Sequence, residues 1–286
     1  MEHGFIFPKK IIVKLKVKYS VLISLYYKEK PDYLRKALDS VFNQSLRADE
    51  VVLVEDGKLM PELDSVINEY SQKYSELKVV SYEKNQGLGY ALNYGIQFCK
   101  YDIIARMDAD DIAKPDRFEK QIKILEEHPE IGVVTAWVEE FVGTTDNVTA
   151  RRTLPETPKE LYEYGKSRCP ANHPVTMYRK QAVLDAGGYQ TELFPEDYFL
   201  WIKMLMNGVK FYCLQESLLY FRYSPETISK RGGWRYAVDE LKIQKNIYKT
   251  GYISFPRYLF NSVSKFTVRV LPLKIRMWVY LHLLRK

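Results

Sequence analysis

Apolar and polar residues alternate along the first half of the chain with the rhythm of an α/β protein. Four apolar runs have the length of buried strands, at residues 19–25, 51–54, 79–80 and 102–107. Between these runs, apolar residues recur at helical spacing, as in Leu34, Leu38 and Val41 after Pro31. Such alternation predicts a mainly parallel sheet with helices on both faces.

The regular alternation ends after a helix that we predict to begin after Pro115. Residues 143–172 are polar and contain three prolines, so we predict a loop-rich connection there, of the kind that forms a lid or an acceptor-side loop. The predicted second half consists of strands at 131–137 and 175–178, a short helix to Ala186, a turn at Gly187 and Gly188, and a helix over 197–206.

Basic residues give the 286-residue chain a net charge of +7 and a pI near 9.0. Such a balance admits three kinds of partner: nucleic acid, an anionic membrane surface, or a small acidic substrate such as a nucleotide. The excess lies at the two ends of the chain, with lysines at 9, 10, 14, 16 and 18 and six Lys or Arg residues from 265 onward.

The segment after Pro272 repeats apolar residues at helical spacing beside basic ones. The apolar positions are Leu273, Met277, Tyr280, Leu281 and Leu284. This pattern suits a basic helix lying on an anionic membrane, and it equally suits an amphipathic helix packed back on the domain.

Cysteine usage and hydropathy indicate the compartment. Cys99, Cys169 and Cys213 are odd in number and lack Cys-x-x-Cys spacing, which disfavours a disulfide framework and a zinc site. No apolar run reaches the ~18 residues that span a bilayer, and the N-terminus lacks a signal-peptide core. We therefore expect a cytoplasmic protein that is neither secreted nor membrane-spanning.

Three carboxylates, Asp108, Asp110 and Asp111, follow the fourth predicted strand. Open α/β sheets bind ligands at the carboxyl ends of their strands, and carboxylate oxygens suit Mg²⁺ or Mn²⁺ bridging substrate phosphates. The alternative is an acidic cap for the helix that begins near Pro115.

Two further features have a catalytic and a structural interpretation. Asp197, next to Glu196 at a predicted helix start, is a candidate base for a sugar hydroxyl, or both are ordinary N-terminal helix residues. The turn at Asn85 and Gly87 allows close approach of a phosphate or ribose, or it is a plain loop before a helix.

Taken together, these motifs resemble the family 2 glycosyltransferases of the GT-A fold, from Tyr19 to about Gly233. The resemblance rests on the first strand and helix, the second strand ending in Asp56, the segment from Asn85 to Asn93, the acidic motif, and Glu196 with Asp197. It implies a GT-A catalytic domain over residues 19–232, a basic extension over 1–18, and a helical, basic amphipathic tail over 233–286. The ending from Phe221 to Trp234 more particularly resembles transferases of bacterial capsule, exopolysaccharide or O-antigen assembly.

The resemblance implies an inverting transfer of one sugar from a nucleotide sugar, with Asp197 as base and Mn²⁺ or Mg²⁺ on Asp108 and Asp110. A UDP-sugar is the expected donor, and a carbohydrate or lipid-linked glycan the expected acceptor, at the inner face of the bacterial plasma membrane. The resemblance implies donor contacts by Leu25, Tyr26, Glu29, Asp56, Asn85, Gly87, Asn93, Arg106, Met107 and Asp108, and acceptor-side positions at His173, Glu196 and Arg222.

The chain also departs from that family. Its first strand ends in Tyr26-Tyr27 where Tyr-Asn is usual, and Glu55 replaces the first of two aspartates. It lacks the transmembrane helices and Gln-x-x-Arg-Trp motif of processive synthases, so we expect one sugar per encounter. Arg106, Arg117 and Arg222 are candidate phosphate partners or structural arginines.

Two other functions are alternatives. A sugar-nucleotide pyrophosphorylase needs a Gly-rich, Arg-containing loop after the first strand, where this chain has residues 26–31. A non-catalytic basic protein that binds a membrane surface or nucleic acid needs basic residues interleaved with aromatic ones in its centre, whereas the centre here is acidic. No nucleic acid partner is expected.

Overall fold

A computed structural model describes residues 17–192, 194–223 and 232–279, except for the side chains of 277 and 278. The lysines at 9, 10, 14 and 16, the segment from Ser224 to Arg231, and Tyr280, Leu281 and Leu284 of the predicted tail helix lie outside the described residues. The strands are β1 (Tyr19–Leu25), β2 (Glu50–Asp56), β3 (Leu77–Tyr82), β4 (Ile103–Asp108), β5 (Ile112–Ala113), β6 (Ile131–Phe141), β7 (Val148–Arg152), β8 (Met177–Arg179) and β9 (Lys210–Arg222).

The helices lie between these strands and continue beyond β9. They are α1 (Pro31–Phe42), α2 (Pro61–Lys73), α3 (Leu88–Phe98), α4 (Arg117–Glu127), α5 (Pro158–Gly165), α6 (Lys180–Asp185), α7 (Tyr198–Met206), α8 (Trp234–Lys249), α9 (Phe255–Val270) and α10 (Leu273–Val279), with a 3-10 turn at His173–Val175.

The first four strands form the parallel part of the sheet. β1 pairs in parallel with both β2 and β4, and β3 adds to β2. Their carboxyl ends meet at one edge, where Ser24 lies opposite Asp108 and Leu25 lies opposite Glu55. This confirms the predicted α/β alternation, and it places Asp56 and Asp108 at the edge where such sheets bind ligands.

The second half of the sheet is mixed. The strand order is β3-β2-β1-β4-β8-β6-β9-β5, with β7 beside β6. β8 is antiparallel to both β4 and β6, whereas β9 runs parallel to β6 and antiparallel to β5. The sheet therefore combines a parallel half, as predicted, with an antiparallel-rich half.

The prediction of a loop-rich connection over residues 143–172 was wrong in part, because β7 and α5 lie within it. Pro158 occupies the first turn of α5, where proline is well tolerated. Thr157 and Glu160 close a capping box around that turn. β7 escaped detection because it is a polar strand that pairs only with β6 among the described strands.

Helices cover both faces of the sheet, as predicted. One apolar core lies between the sheet and α1, α2 and α4, and the other lies under α3, α5, α6, α7 and α8. Alternate residues of each strand serve the two cores, so that Val21 and Ile23 face one and Leu22 faces the other. α8 joins the second core through Ile243 and Ile247.

Polar side chains hold α9 against α8. Buried Glu240 accepts hydrogen bonds from Lys265 Nζ at 3.0 Å and from Arg269 Nη2 at 3.2 Å. Buried Asn261 donates to Gln244 Oε1 at 3.1 Å. These contacts hold α9 on α8, and both alternatives for the segment after Pro272 stay predictions. None of the described helices is both long and apolar enough to cross a membrane.

We predict that Glu240→Gln destabilises the folded protein by about 3 kcal/mol, because it leaves two cations beside a buried neutral group. The matched control is Glu163→Gln. Glu163 also pairs with a lysine, but its side chain is 61% exposed, against 3% for Glu240. The control should change stability by less than about 0.5 kcal/mol. Urea unfolding measures both, and equal effects would contradict the role of Glu240.

Candidate active site

The acidic cluster lies at the carboxyl end of β4. Oxygen atoms of Asp108, Asp110 and Asp111 all fall within 4.8 Å of one another. The following residues form β5, and α4 begins only at Arg117, with Asp116 at its N-cap. The alternative in which the cluster caps this helix is therefore wrong.

Arg222, the last residue of β9, fixes the cluster in place. Its backbone N–H donates to Asp111 Oδ1 at 2.7 Å, and its Nε donates to the Asp110 carbonyl at 2.8 Å. The guanidinium lies 3.8 Å from the ring centroid of Tyr33 and 4.6 Å from that of Phe141. Arg222 thus lies beside the predicted site and contacts the acidic turn and two aromatic rings.

Burial and, after it, mutual repulsion raise the pKa values of Asp110 and Asp111. Burial, then the charges of Asp108 and Glu29, raise the pKa of Asp110 to about 7. Burial, then Asp110 and Asp108, raise the pKa of Asp111 well above its usual range, and Asp111 Oδ2 has no hydrogen-bond partner among the described residues. A hard divalent cation with oxygen ligands fits this set, because it would relieve the repulsion.

Arg106 lies between this cluster and the acceptor half. It is buried and forms an ion pair with Asp108, and its charge also helps to lower the pKa of Glu196. Its Nε and Nη1 atoms have no hydrogen-bond partner among the described residues. Buried guanidinium N–H groups without partners suit an anionic ligand such as a phosphate.

The other central arginine is structural. Arg117 is fully buried, and its Nη2 donates to the Arg106 carbonyl at 2.6 Å while its Nε donates to Gln121 at 3.0 Å. Burial, then the nearby charge of Arg106, lowers the pKa of Arg117 to about 9. The side chains of Met107 and Leu25 also lie in the first core, so any donor contact there would come from backbone atoms.

Asp56 organises the loop after β3. Its carboxylate accepts hydrogen bonds from the Tyr82 hydroxyl at 2.9 Å, from Asn85 Nδ2 at 2.8 Å, and from the backbone N–H groups of Gln86 and Gly87 at 2.7 and 3.0 Å. The structure thus brings together three residues predicted to bind the donor, namely Asp56, Asn85 and Gly87. Tyr82 was not predicted, because a tyrosine at the end of a strand has no distinguishing sequence signal.

Asn93 holds the acceptor half against α3. Its amide donates to the Tyr189 carbonyl at 2.9 Å and accepts from the Tyr189 N–H at 2.8 Å. Gly188 has a φ of +71° and approaches the Asn93 side chain so closely that a Cβ there would lie 2.5 Å from Asn93 Oδ1. The predicted turn at Gly187 and Gly188 is confirmed. A donor contact by Asn93 stays a prediction.

Tyr26 and Glu29, in the loop after β1, border the acidic cluster. Burial, then the charges of Glu29 and Asp110, raise the pKa of Tyr26. The Tyr26 side chain nevertheless remains exposed. An exposed aromatic ring beside carboxylates can stack on a planar ligand, which fits the predicted position of both residues on the donor side.

A second cluster contains His173, Glu196 and Asp197, whose ligand atoms lie within 4.8 Å of one another. His173 lies 3.5 Å from Glu196 through Nδ1 and 3.3 Å from the Tyr189 hydroxyl through Nε2. Burial acts to raise the pKa of Glu196, but the hydrogen bond and charge of His173 outweigh it, so this pKa is lowered. His173 and Glu196, two of the three predicted acceptor-side residues, are therefore neighbours of the predicted base Asp197, whereas Arg222, the third, lies at the acidic cluster.

Asp197 is the N-cap residue of α7, but its carboxylate makes no capping hydrogen bond. Instead, Oδ2 accepts from the indole Nε1 of Trp201 at 3.2 Å, and the thiol of Cys169 lies 3.5 Å from the same atom. The carboxylate is thus held by the Trp201 indole and the Cys169 thiol, and it does not cap the helix. This favours the catalytic interpretation of Asp197 over the structural one.

A polar cleft of about 570 Å³ adjoins the second cluster. One wall is formed by residues 189–192, and the other by Lys242, Lys245, Asn246 and Lys249 of α8. Tyr189 lies in the wall and also contacts His173. The position of these lysines in a cleft could not be predicted from the sequence, because only folding places α8 beside residues 189–192.

A family model described as glycosyl transferase family 2 matches residues 20–186. The chain is 36% identical over 269 residues to a UDP-Gal:alpha-D-GlcNAc-diphosphoundecaprenol beta-1,3-galactosyltransferase of Escherichia coli, covering 94% of this chain and 97% of that protein.

Solved glycosyltransferase structures share the fold. S. aureus TarS 1-349 in complex with UDP-GlcNAc superimposes with a TM-score of 0.64 at 18% identity, covering 88% of this chain and 72% of that one, and the chain spans 43% of a longer TarS structure. A mannosyltransferase, PcManGT from Pyrobaculum calidifontis in complex with GDP-Man and Mn2+, gives a TM-score of 0.59 at 14% identity, covering 95% and 86%. The predicted GT-A fold is confirmed.

We predict that Asp110→Asn stabilises the metal-free protein at pH 8. The pKa of Asp110 rises from 3.8 to about 7 on folding, so its ionisation opposes folding as pH rises from about 4 to 7, and the penalty is complete above pH 7. The variant should gain at least about 2 kcal/mol at pH 8 and less at pH 5.

Urea unfolding in EDTA at the two pH values measures this difference. The control is Asp64→Asn, on the exposed side of α2, which should leave stability unchanged at both. Added Mn²⁺ should stabilise the wild type more than Asp110→Asn. A stability gain that does not depend on pH would contradict the raised pKa of Asp110.

Proposed function

The chain belongs to glycosyl transferase family 2 and is a glycosyltransferase, and from this we propose that it moves one sugar from a UDP-sugar to a hydroxyl of a lipid-linked oligosaccharide or growing surface polysaccharide. The transfer is metal-dependent and inverts the anomeric centre. The observation that carries the proposal is the pair of side-chain clusters, one acidic and one containing Asp197, on either side of Arg106. Membership of this family is incompatible with a pyrophosphorylase or a non-catalytic binding protein.

The donor nucleotide binds at the carboxyl edge of the parallel strands. Asp56, with the loop from Asn85 to Gly87 that it organises, faces the base and ribose, and Tyr26 and Glu29 border the same edge from the β1 loop. Both oxygens of Asp56 already accept hydrogen bonds, so its contact with a base requires exchange of one of them. UDP is supported by the UDP-linked donors named for the E. coli relative and for TarS.

Asp108 and Asp110 hold the divalent cation, Mn²⁺ or Mg²⁺, and Mn²⁺ accompanies the nucleotide sugar in the PcManGT structure. When bound, the cation neutralises charge that develops on the departing diphosphate. Arg106 directs its partner-free N–H groups at the same diphosphate. Asp111 orients the cluster through its hydrogen bond with the Arg222 backbone.

Asp197 acts as the base. Its carboxylate takes the proton of the acceptor hydroxyl while that oxygen attacks the anomeric carbon and the bond to the diphosphate breaks. The indole of Trp201 holds one carboxylate oxygen, which leaves the side chain in a fixed orientation. One displacement without a covalent enzyme intermediate inverts the anomeric configuration.

The acceptor approaches along the polar cleft beside the second cluster. Tyr189, which lines the cleft, contacts His173 of that cluster, and three lysines of α8 give the cleft a positive wall. A positive wall suits an acceptor that carries phosphate, as the diphosphoundecaprenol-linked acceptor named for the E. coli relative does. Such an acceptor places the reaction at the inner face of the bacterial plasma membrane.

We predict that Asp197→Asn lowers kcat at least 100-fold, because the amide cannot accept the hydroxyl proton. Binding of UDP with Mn²⁺, measured by thermal shift, should remain. Asp146→Asn, in an exposed turn, is the matched control and should retain full activity. The assay uses UDP-galactose and GlcNAc-diphosphate linked to a short lipid, and full activity of Asp197→Asn would exclude it as the base.

A second experiment tests the donor and the metal together. Hydrolysis and transfer are measured with UDP-, GDP-, TDP- and CMP-linked sugars, in Mn²⁺, Mg²⁺ or EDTA. We expect turnover with a UDP-sugar, loss of at least about 100-fold in EDTA, and a similar loss in Asp110→Ala. Full turnover in EDTA would contradict metal dependence, and turnover only with another nucleotide would contradict UDP as donor.

A further inference from the structure

Helix α9 has its polar side inward and its apolar side outward. Asn261, Ser262, Lys265 and Arg269 face α8 or lie buried beneath the helix. The opposite side carries Phe255, Leu259, Phe260, Val263 and Val270, all of them exposed. This is the reverse of the arrangement expected for a helix at the surface of a globular protein.

Hydrogen bonds prevent the helix from turning over. Glu240 binds both Lys265 and Arg269, and Asn261 donates to Gln244 Oε1 and to the Lys166 carbonyl, the latter at 2.8 Å. Rotation of α9 by half a turn would strip buried Glu240 of its two cations. The orientation that exposes the apolar side is therefore the one that satisfies the buried polar groups.

The exposed apolar residues form one stripe. They recur on one side of α9 from Phe255 to Val270, with Phe260 66% and Val263 60% exposed. Leu273 and Ile275 of α10 are exposed as well, and so is Trp234, whose ring packs edge-on against Phe266 at 5.5 Å. A contiguous apolar surface of this kind marks a site for a protein or membrane partner.

The charge around the stripe decides between those partners. After Glu240 the chain contains no further Asp or Glu. It contains ten basic residues there, and of those in α9 and α10, Arg257 and Lys274 are exposed, whereas Lys265 and Arg269 bind Glu240. A second copy would bring like charges together across the contact, whereas an anionic lipid surface attracts them.

We propose that the outward face of α9, from Phe255 to Val270 and continuing to Leu273 and Ile275, is a docking surface for an anionic lipid bilayer. The helix lies in the plane of the membrane, with its apolar stripe in the boundary between headgroups and acyl chains and its flanking cations on the lipid phosphates. The proposal rests on the lipid-linked acceptor of the proposed function. It extends the membrane contact from the segment after Pro272 to the preceding helix.

The test is sedimentation of the full-length protein with vesicles of 30% phosphatidylglycerol in phosphatidylcholine. The double variant Phe260→Ser/Val263→Ser should bind at least about tenfold more weakly, because each side chain withdraws apolar surface from water. The matched control is Leu184→Ser/Val148→Ser, which removes exposed apolar residues far from α9 in sequence and should bind like wild type. Wild-type binding should also weaken in vesicles of pure phosphatidylcholine and at high salt.

Two further measurements keep the outcomes distinct. Transfer to a water-soluble acceptor, with the melting temperature, should be unchanged in Phe260→Ser/Val263→Ser, which shows that the variant is folded. Equal vesicle binding by wild type and variant would overturn the proposal. The proposal would also be overturned if light scattering showed that the wild type is a dimer and the variant a monomer. If the wild type transfers no sugar but binds vesicles more strongly than the variant, the docking surface is supported and the proposed function is contradicted.

Discussion

The hydrogen bonds between Arg222 and the acidic turn hold the site together. β9 belongs to the mixed half of the sheet, and the acidic turn follows the parallel strand β4. These hydrogen bonds, together with the pairing of β5 with β9, therefore join the last strand to the carboxyl end of β4. Three carboxylates within 4.8 Å repel one another, and a flexible turn would let them separate. Because Arg222 holds Asp110 and Asp111 in place, their mutual repulsion persists in the folded protein. A bound cation would relieve this repulsion, and the relief would favour cation binding.

A second set of hydrogen bonds links α3, which follows the loop that Asp56 organises, with the cluster around Asp197. Asn93, on α3, clamps the backbone of Tyr189, and the hydroxyl of Tyr189 reaches His173. α3 begins directly after the loop that Asp56 organises. The loop that Asp56 organises and the cluster around Asp197 are therefore both positioned by α3. A change in the packing of α3 would alter both together.

The sequence was sufficient for the features that depend on local patterns. The strand at 19–25, the helix after Pro31 and the acidic cluster follow from hydrophobic spacing and residue type, and the structure has them at the same places. It failed where tertiary contacts decide. Asp111 does not cap a helix, because Arg222 reaches it from 111 residues away, and Arg117 is structural because the core supplies carbonyls for it. The polarity of α9 could not be predicted, since its meaning depends on which side α8 covers.

The connection between α9 and the catalytic core has a mechanical consequence. α8 is packed in the second core through Ile243 and Ile247, and α9 is bonded to α8 through Glu240. Under the proposed docking of α9, this link would fix the distance between the lipid surface and Asp197, the proposed base. The proposed transfer would then favour glycans whose length brings the terminal hydroxyl to that distance.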